Sequence, residues 1–260
     1  MTQVVLFAVP EFQKLLTVVV RVSGILAAFP VLGSRVVPNQ VKVGLVLMLG
    51  LILLPFVRVP ALPEDAYLLT AGLASEFMVG TALGLASRIV FSGIELAGEL
   101  MGQQMGLGVV QLFDPTAQQQ VPLISHFQTL LASMVFLSMN AHFMIVEAVA
   151  SSFDLVPPFM AELSAPVAED VLRLSQGMFV IALKLSAPVL ATMLLINLLM
   201  AILGRTVSQL NVFILSFPVT IMVGFLVMGA ALPFTVGIFQ DEFERLGGTL
   251  GQVMALLGGG

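Results

Sequence analysis

Residues 66–97 read AYLLTAGLASEFMVGTALGLASRIVFSGIELA. This apolar run exceeds the roughly 20 residues a helix needs to cross the hydrocarbon core of a bilayer. It lacks the period-2 alternation of a strand, so it predicts a helix. Yet Glu76, Arg88 and Glu95 interrupt it. A charge at the bilayer centre costs at least roughly 2.5–3.5 kcal/mol. These side chains must therefore face protein or water rather than lipid. The run sets the fold class as all-α and of the integral-membrane type, with polar faces that something other than lipid covers.

The rest of the chain repeats the pattern. Of 260 residues, 58% are hydrophobic and 10% charged, and mean hydropathy is +1.08; a soluble domain is about 25% charged. About six apolar stretches are read: Leu15–Leu32, Val43–Val57, Ala66–Ala97, Val121–Ala150, Val171–Leu203 and Val212–Phe239. Arg21, Lys184 and Asn197 lie inside such runs. Pro30, Pro55, Pro188, Pro218 and Pro233 predict kinks or breaks, which survive at membrane depth only where protein or a water-filled cavity covers them. No stretch is polar enough for a separate soluble module, so residues 1–260 read as one unit. Net charge is −5 with no basic cluster, which excludes nucleic acid as a partner. There is no cysteine, hence no disulfide framework and no thiolate chemistry. Met1–Pro10 has no positively charged start, so no cleavable signal peptide is expected. Arg35, Lys42 and Arg205 on connections, against acid-rich residues 151–170 and an acidic tail, favour both termini outside the cytoplasm. The tail from Asp241 is expected to fray.

Several polar constellations stand out. Arg88, Glu95 and Glu99 fall at i, i+7 and i+11, within about 40° of one another on a helix. They make either a packing ion-pair face or the charged lining of a passage. Gly80 and Gly84 form one GxxxG, and Gly98, Gly102 and Gly106 form two more; such spacing lets another backbone approach closely. Residues 101–120, MGQQMGLGVVQLFDPTAQQQ, are too apolar for a solvated tether and too polar for a span. Glycine gives this segment freedom, methionine a soft surface, and glutamine uncharged hydrogen bonding. It suits either a yielding loop inside a cavity or a buried connector. His126 and His142, with Glu147, lack metal-site spacing and read as packing or helix-end histidines. No common catalytic or nucleotide-binding signature is present, so no enzyme is expected.

Taken in order, these blocks resemble the FliR family of type III export apparatus proteins. The matching blocks are Arg21-Val-Ser-Gly24 with Phe29-Pro30; Glu76, Gly80 and Gly84; Gly98–Gln104 with Gly106; and Phe113-Asp114-Pro115. They continue with Asn140-Ala-His142, Ser152-Phe153, Pro157, and Arg205-Thr-Val-Ser-Gln-Leu-Asn-Val-Phe213 with Pro218. Ser208 departs from the proline expected there. The Phe-Asp-Pro and Asn-Ala-His blocks point to the flagellar branch.

The resemblance implies kinked helical hairpins within a helical, hetero-oligomeric pore complex, raised largely out of the bilayer plane. It implies FliP and FliQ as partners, FlhB and FlhA as associates, and unfolded protein substrates passing the bacterial inner membrane at the flagellar basal body. No cofactor is implied. Sub-regions follow: 1–98 N-terminal helices, 99–120 a central pore loop, 121–183 middle helices, and 184–260 a hairpin resembling FliQ. Met101, Gln103, Gln104, Met105, Gly106, Leu107, Gly108, Val109, Val110, Phe113, Asp114 and Pro115 would belong to the loop that closes the pore. Glu76, Arg88, Glu95, Glu99, Arg205 and Asn211 would be buried charges and packing groups, with Arg205 and Asn211–Phe213 forming a tight helix–helix corner. The competing reading is a stand-alone secondary transporter or small channel with Glu76 and Arg88 on its pathway; no inverted repeat supports it.

Overall fold

A computed structural model of the chain describes residues 2–30, 37–59, 65–107, 122–161, 165–206 and 211–259. The described residues are helical, with no strand among them. The helices are α1 (Thr2–Ala28), α2 (Asn39–Leu53), α3 (Ala66–Gln104), α4 (Leu123–Ser138), α5 (Ala141–Leu155), α6 (Ala165–Thr206), α7 (Val212–Ala230) and α8 (Leu232–Leu257). Among the described residues two segments, Ala66–Gln104 and Leu172–Thr206, are long and apolar enough to cross a membrane; the number rises to four if the bent pairs α4–α5 and α7–α8 each count as one span.

Local chemistry explains the ends. Asp65 starts α3 by accepting the Tyr67 N–H at 2.9 Å on Oδ1, a side-chain N-cap. Asn211 does the same for α7, accepting the Ile214 N–H at 3.3 Å. Gly106 ends α3: its φ is +80°, the left-handed value glycine adopts without strain, and its N–H reaches the Gln103 carbonyl at 3.1 Å. The gap between α4 and α5 is made by Asn140 at φ 58°, which asparagine tolerates better than most residues.

Three of the five prolines stand where helices end or break: α1 ends at Ala28 before Pro30, α2 at Leu53 before Pro55, and Pro233 lies in the first turn of α8 beside the break at Ala231. Pro188 and Pro218 lie inside continuous α6 and α7. The break at Ala231, where α7 and α8 are bent by 57°, lies two residues before Pro233; the break at Met139–Asn140 has no proline. Two further expectations need correction. The glycine-rich segment is helical as far as Gln104, because Gly98 packs against the backbone of Ser125 rather than ending the helix. The acidic tail does not fray at Asp241; α8 runs on to Leu257, burying Phe243, Leu246, Leu250, Met254 and Leu257. These recur at three- and four-residue intervals, so one apolar stripe holds the helix while Asp241 and Glu244 stay outside.

The chain forms two compact units interleaved in sequence. One comprises Met1–Ile89, Asn140–Ser175 and Phe243–Gly260; the other comprises Val90–Met139 and Gln176–Glu242. In the first, α1 and the front half of α3 meet backbone to backbone. A Cβ added at Gly24 would lie 2.5 Å from the Phe77 carbonyl oxygen, one at Gly84 would lie 2.5 Å from that of Ile25, and one at Gly80 would overlap the Arg21 carbonyl. Val18, Val22, Ile25, Val79, Leu83 and Phe153 are buried in this unit. In the second, Phe91 and Phe136 pack edge to face at 5.8 Å between centroids, with Ile94, Ala97, Ile124, Ile181, Leu185 and Met193 buried in the same unit. Leu194, Leu195, Leu198, Leu199 and Ile202 of α6 are exposed, an apolar face of the kind a bilayer or apolar partner covers.

Gly80→Leu is expected to destabilise the first unit by about 3 kcal/mol or more, since the obstacle is backbone and cannot rotate away. Thermal unfolding in detergent measures it. Gly177→Ala is the control: nothing lies within 4 Å of the added methyl, so that variant should match the parent or gain about 0.5–1 kcal/mol.

Candidate functional site

Two polar features of the chain carry defined geometry, one in each unit. In the first unit, Arg21 of α1 and Glu76 of α3 are both fully buried. Arg21 Nε donates to Glu76 Oε2 at 2.7 Å. Its Nη1 donates to the Ser152 carbonyl at 2.7 Å and to Ser152 Oγ at 3.3 Å, and its Nη2 to the Val156 carbonyl at 3.0 Å. Ser152 and Val156 sit at the C-terminal end of α5, where a cation complements the dipole; the Ser152 carbonyl also accepts the Val156 N–H at 3.0 Å. The guanidinium carbon also lies 4.2 Å from the centroid of the Phe153 ring.

Glu76 is satisfied on its other oxygen. Its Oε1 accepts the Phe159 N–H at 2.9 Å. Phe159 has φ 67° in a turn closed by the Met160 N–H on the Pro157 carbonyl at 3.1 Å. A positive φ is normally left to glycine at that place in a tight turn. The bond to Glu76 offsets this strain, as does the seat of the Phe159 ring over the bare backbone of Gly72. One ion pair thus ties α1, α3, the end of α5 and the turn after it.

In the second unit the feature is the end of α3. Met101 and Met105 are buried, while Gln103 and Gln104 are exposed. The Met105 carbonyl accepts a hydrogen bond from Thr220 Oγ1 at 3.1 Å, and Thr220 is itself buried on α7. A Cβ at Gly224 would lie 2.6–2.8 Å from Cγ, Cε and Sδ of Met105, so the thioether rests on a notch in α7. A Cβ at Gly106 would stand 3.1 Å from the Phe217 ring. These contacts are thioether, aromatic and hydroxyl; none involves a charge.

The remaining residues singled out in the sequence are placed as follows. Leu107 is half-buried; Gly108, Val109, Val110, Phe113, Asp114 and Pro115 lie outside the described residues. Arg88, Glu95 and Glu99 are all exposed on α3, so this chain does not itself bury them. Arg205 is exposed in the last turn of α6, and Asn211 is an exposed cap; nothing described joins them into a corner. Lys184 of α6 lies 3.5 Å from Glu242 of α8, a partly exposed pair within the second unit. His142 Nδ1 is buried without a hydrogen-bond partner, and its ring stacks at 4.3 Å on Phe143. Among the described residues no three His, Cys, Asp or Glu side chains converge on a metal-sized site. Sequence reasoning missed the pairing of Arg21 with Glu76, the capping turn at Phe159, and the roles of Thr220 and Gly224. The signal for the pair was present as two opposite charges in apolar runs; nothing local announced the others.

Known proteins resemble this chain along nearly its whole length. Residues 12–246 match the family described as bacterial export proteins, family 1. The flagellar biosynthetic protein FliR of Bacillus subtilis is 31% identical over 255 residues, covering 95% of this chain and 96% of the relative. That of Pectobacterium carotovorum is 30% identical over 238 residues, covering 90% and 91%. That of Escherichia coli is 26% identical over 237 residues, covering 91% of both.

Proposed function

The chain belongs to the bacterial export proteins of family 1, the family of the flagellar biosynthetic protein FliR, and from that premise we propose that it is a structural and gating subunit of the flagellar protein export gate. It helps form, and through residues 101–120 helps close, the channel by which unfolded substrates cross the bacterial inner membrane. It does no covalent chemistry. FliP and FliQ complete the gate, with FlhB and FlhA associated, and the part from Lys184 onward acts as a FliQ-like hairpin.

One observation carries the multi-subunit reading. Arg88, Glu95 and Glu99 are exposed along one helix that is long and apolar enough to cross a membrane. Lipid cannot cover such a face without a cost of several kcal/mol. Partner subunits or water must. The stand-alone transporter would need the same face to line its own passage, and no observation favours that.

Co-purification tests the proposal. The tagged chain, solubilised from cells, should carry FliP and FliQ in fixed ratio. Arg88→Ala should leave the amount of the chain itself unchanged, because Arg88 is exposed on it. It should cut recovered complex roughly tenfold or more, since removing one partner of a buried charge pair typically costs 3–5 kcal/mol. Assembly at the parental level would overturn the buried-face argument. A chain that purifies alone and binds a small solute would favour the transporter.

A further inference from the structure

We infer that α7 carries a latch for the closing segment: Thr220 and Gly224 hold Met105, and the passage opens when Met105 leaves that seat. The inference rests on residues 101–120 being the closing element, and it names what holds their root. Three independent contacts converge there. The Thr220 hydroxyl satisfies the Met105 carbonyl across 115 residues of sequence at 3.1 Å. The Met105 side chain lies over Gly224 where any β-carbon would strike it. Gly106 turns the chain away at φ +80°, its missing side chain leaving room for Phe217.

The chemistry of this corner differs from that of the buried ion pair. Separating Arg21 from Glu76 would strand two charges, so that contact is permanent. Releasing Met105 exposes one neutral carbonyl, one hydroxyl and a thioether. Methionine is unbranched and adapts to new surroundings, and the hydroxyl can fall back on its own helix, where the Phe217 carbonyl also lies at 3.1 Å. The corner can therefore be broken and remade at each opening. Thr220 is a positioning residue here: it acts on the closing segment through Met105.

The chain has no cysteine, so the double variant Met105→Cys with Gly224→Cys gives a clean cross-link test in the full assembly in cells. The two side chains meet closely enough for a disulfide, which needs Cβ atoms about 3.5–4.5 Å apart. On oxidation the bond should form and the appearance of flagellar proteins in the medium should fall at least about tenfold, recovering on reduction. Neither single cysteine, whatever its own effect on leakage, should respond to oxidation and reduction in this way. Quantitative cross-linking with export unchanged overturns the latch, as does failure to cross-link when both variants assemble.

A size-exchange series gives a second readout. Gly224→Val should raise small-solute leakage by about tenfold, and adding Met105→Ala should bring it back down by making room. Thr220→Val, which keeps the shape and loses the hydroxyl, should raise leakage about threefold to tenfold, the worth of one neutral hydrogen bond; Thr220→Ser should not. Leakage in Gly224→Val that Met105→Ala fails to reverse contradicts the seat. If a shortened loop leaks but the locked pair exports normally, the latch fails and the closing segment stands. If the shortened loop does not leak, the closing reading fails and the latch with it.

Discussion

Glu76→Ala is expected to destabilise the first unit by about 3–5 kcal/mol, because it leaves the Arg21 guanidinium buried without its counter-charge. Both side chains are fully buried. The loss compares with the 5–15 kcal/mol by which a typical fold is stable at all, so the variant should accumulate poorly and be digested quickly by protease. The carboxylate has two duties, the ion pair and the Phe159 N–H. Glu76→Gln keeps an acceptor for the second and loses the first, so its cost should be intermediate, about 1.5–3 kcal/mol. Joint replacement by Arg21→Met and Glu76→Leu should be milder than Glu76→Ala alone, since no charge is stranded. It will not be neutral, because the Val156 carbonyl and the Phe159 N–H then lose the partners they have here. Thermal unfolding of the purified assembly, with protease resistance beside it, orders the three. Glu76→Ala as stable as the parent would contradict the account of the ion pair.

Much of the architecture is legible in the apolar runs. Residues 66–97 announce a helix, and the helix is there, extended to Gln104. The extension was hidden because residues 99–120 read as a loop, although the GxxxG spacing from Gly98 pointed to close packing, which Gly98 makes against Ser125. The GxxxG at Gly80 and Gly84 read correctly as close packing, with α1 as its partner. Pro30, Pro55 and Pro233 stand at helix ends as expected, whereas Pro188 and Pro218 do not break their helices for a definite reason. Proline removes one hydrogen bond from a helix, and α6 and α7 absorb that loss at Pro188 and Pro218. Asn140 breaks the chain instead, by taking a left-handed conformation. In α8 the stripe from Phe239 to Leu257 was present in the sequence, but Asp241, Glu242, Glu244 and Arg245 between its members made it look like a solvated tail.

The sites were less legible than the helices. Arg21 and Glu76 could each be recognised as misplaced in lipid, yet their pairing spans 55 residues and depends on how α1 crosses α3. Thr220 and Gly224 sit in a segment of nearly uniform hydrophobicity, where no periodicity distinguishes one face from another. Their meaning comes only from where the end of α3 arrives. Phe159 is hidden for the same reason: its backbone conformation is set by Gly72 and Glu76, far away in sequence.

If residues 101–120 close an export passage, leakage through the intact assembly reports it. A closing element that must reopen is held by a small gap, with the open form at roughly 0.1–10% of the population. Removing the element takes the open fraction toward one, so leakage should rise by about tenfold to a thousandfold. The variant to make deletes Gly106–Val110, where the chain leaves α3. A charged replacement at Leu107 or Val109 should act in the same direction. The measurement is conductance, or uptake of a small solute, in cells whose assembly has been shown complete by co-purification. The shortened loop should give a normally assembled gate that leaks ions or solutes far above the parent; full assembly with parental leakage would overturn the closing role of residues 101–120.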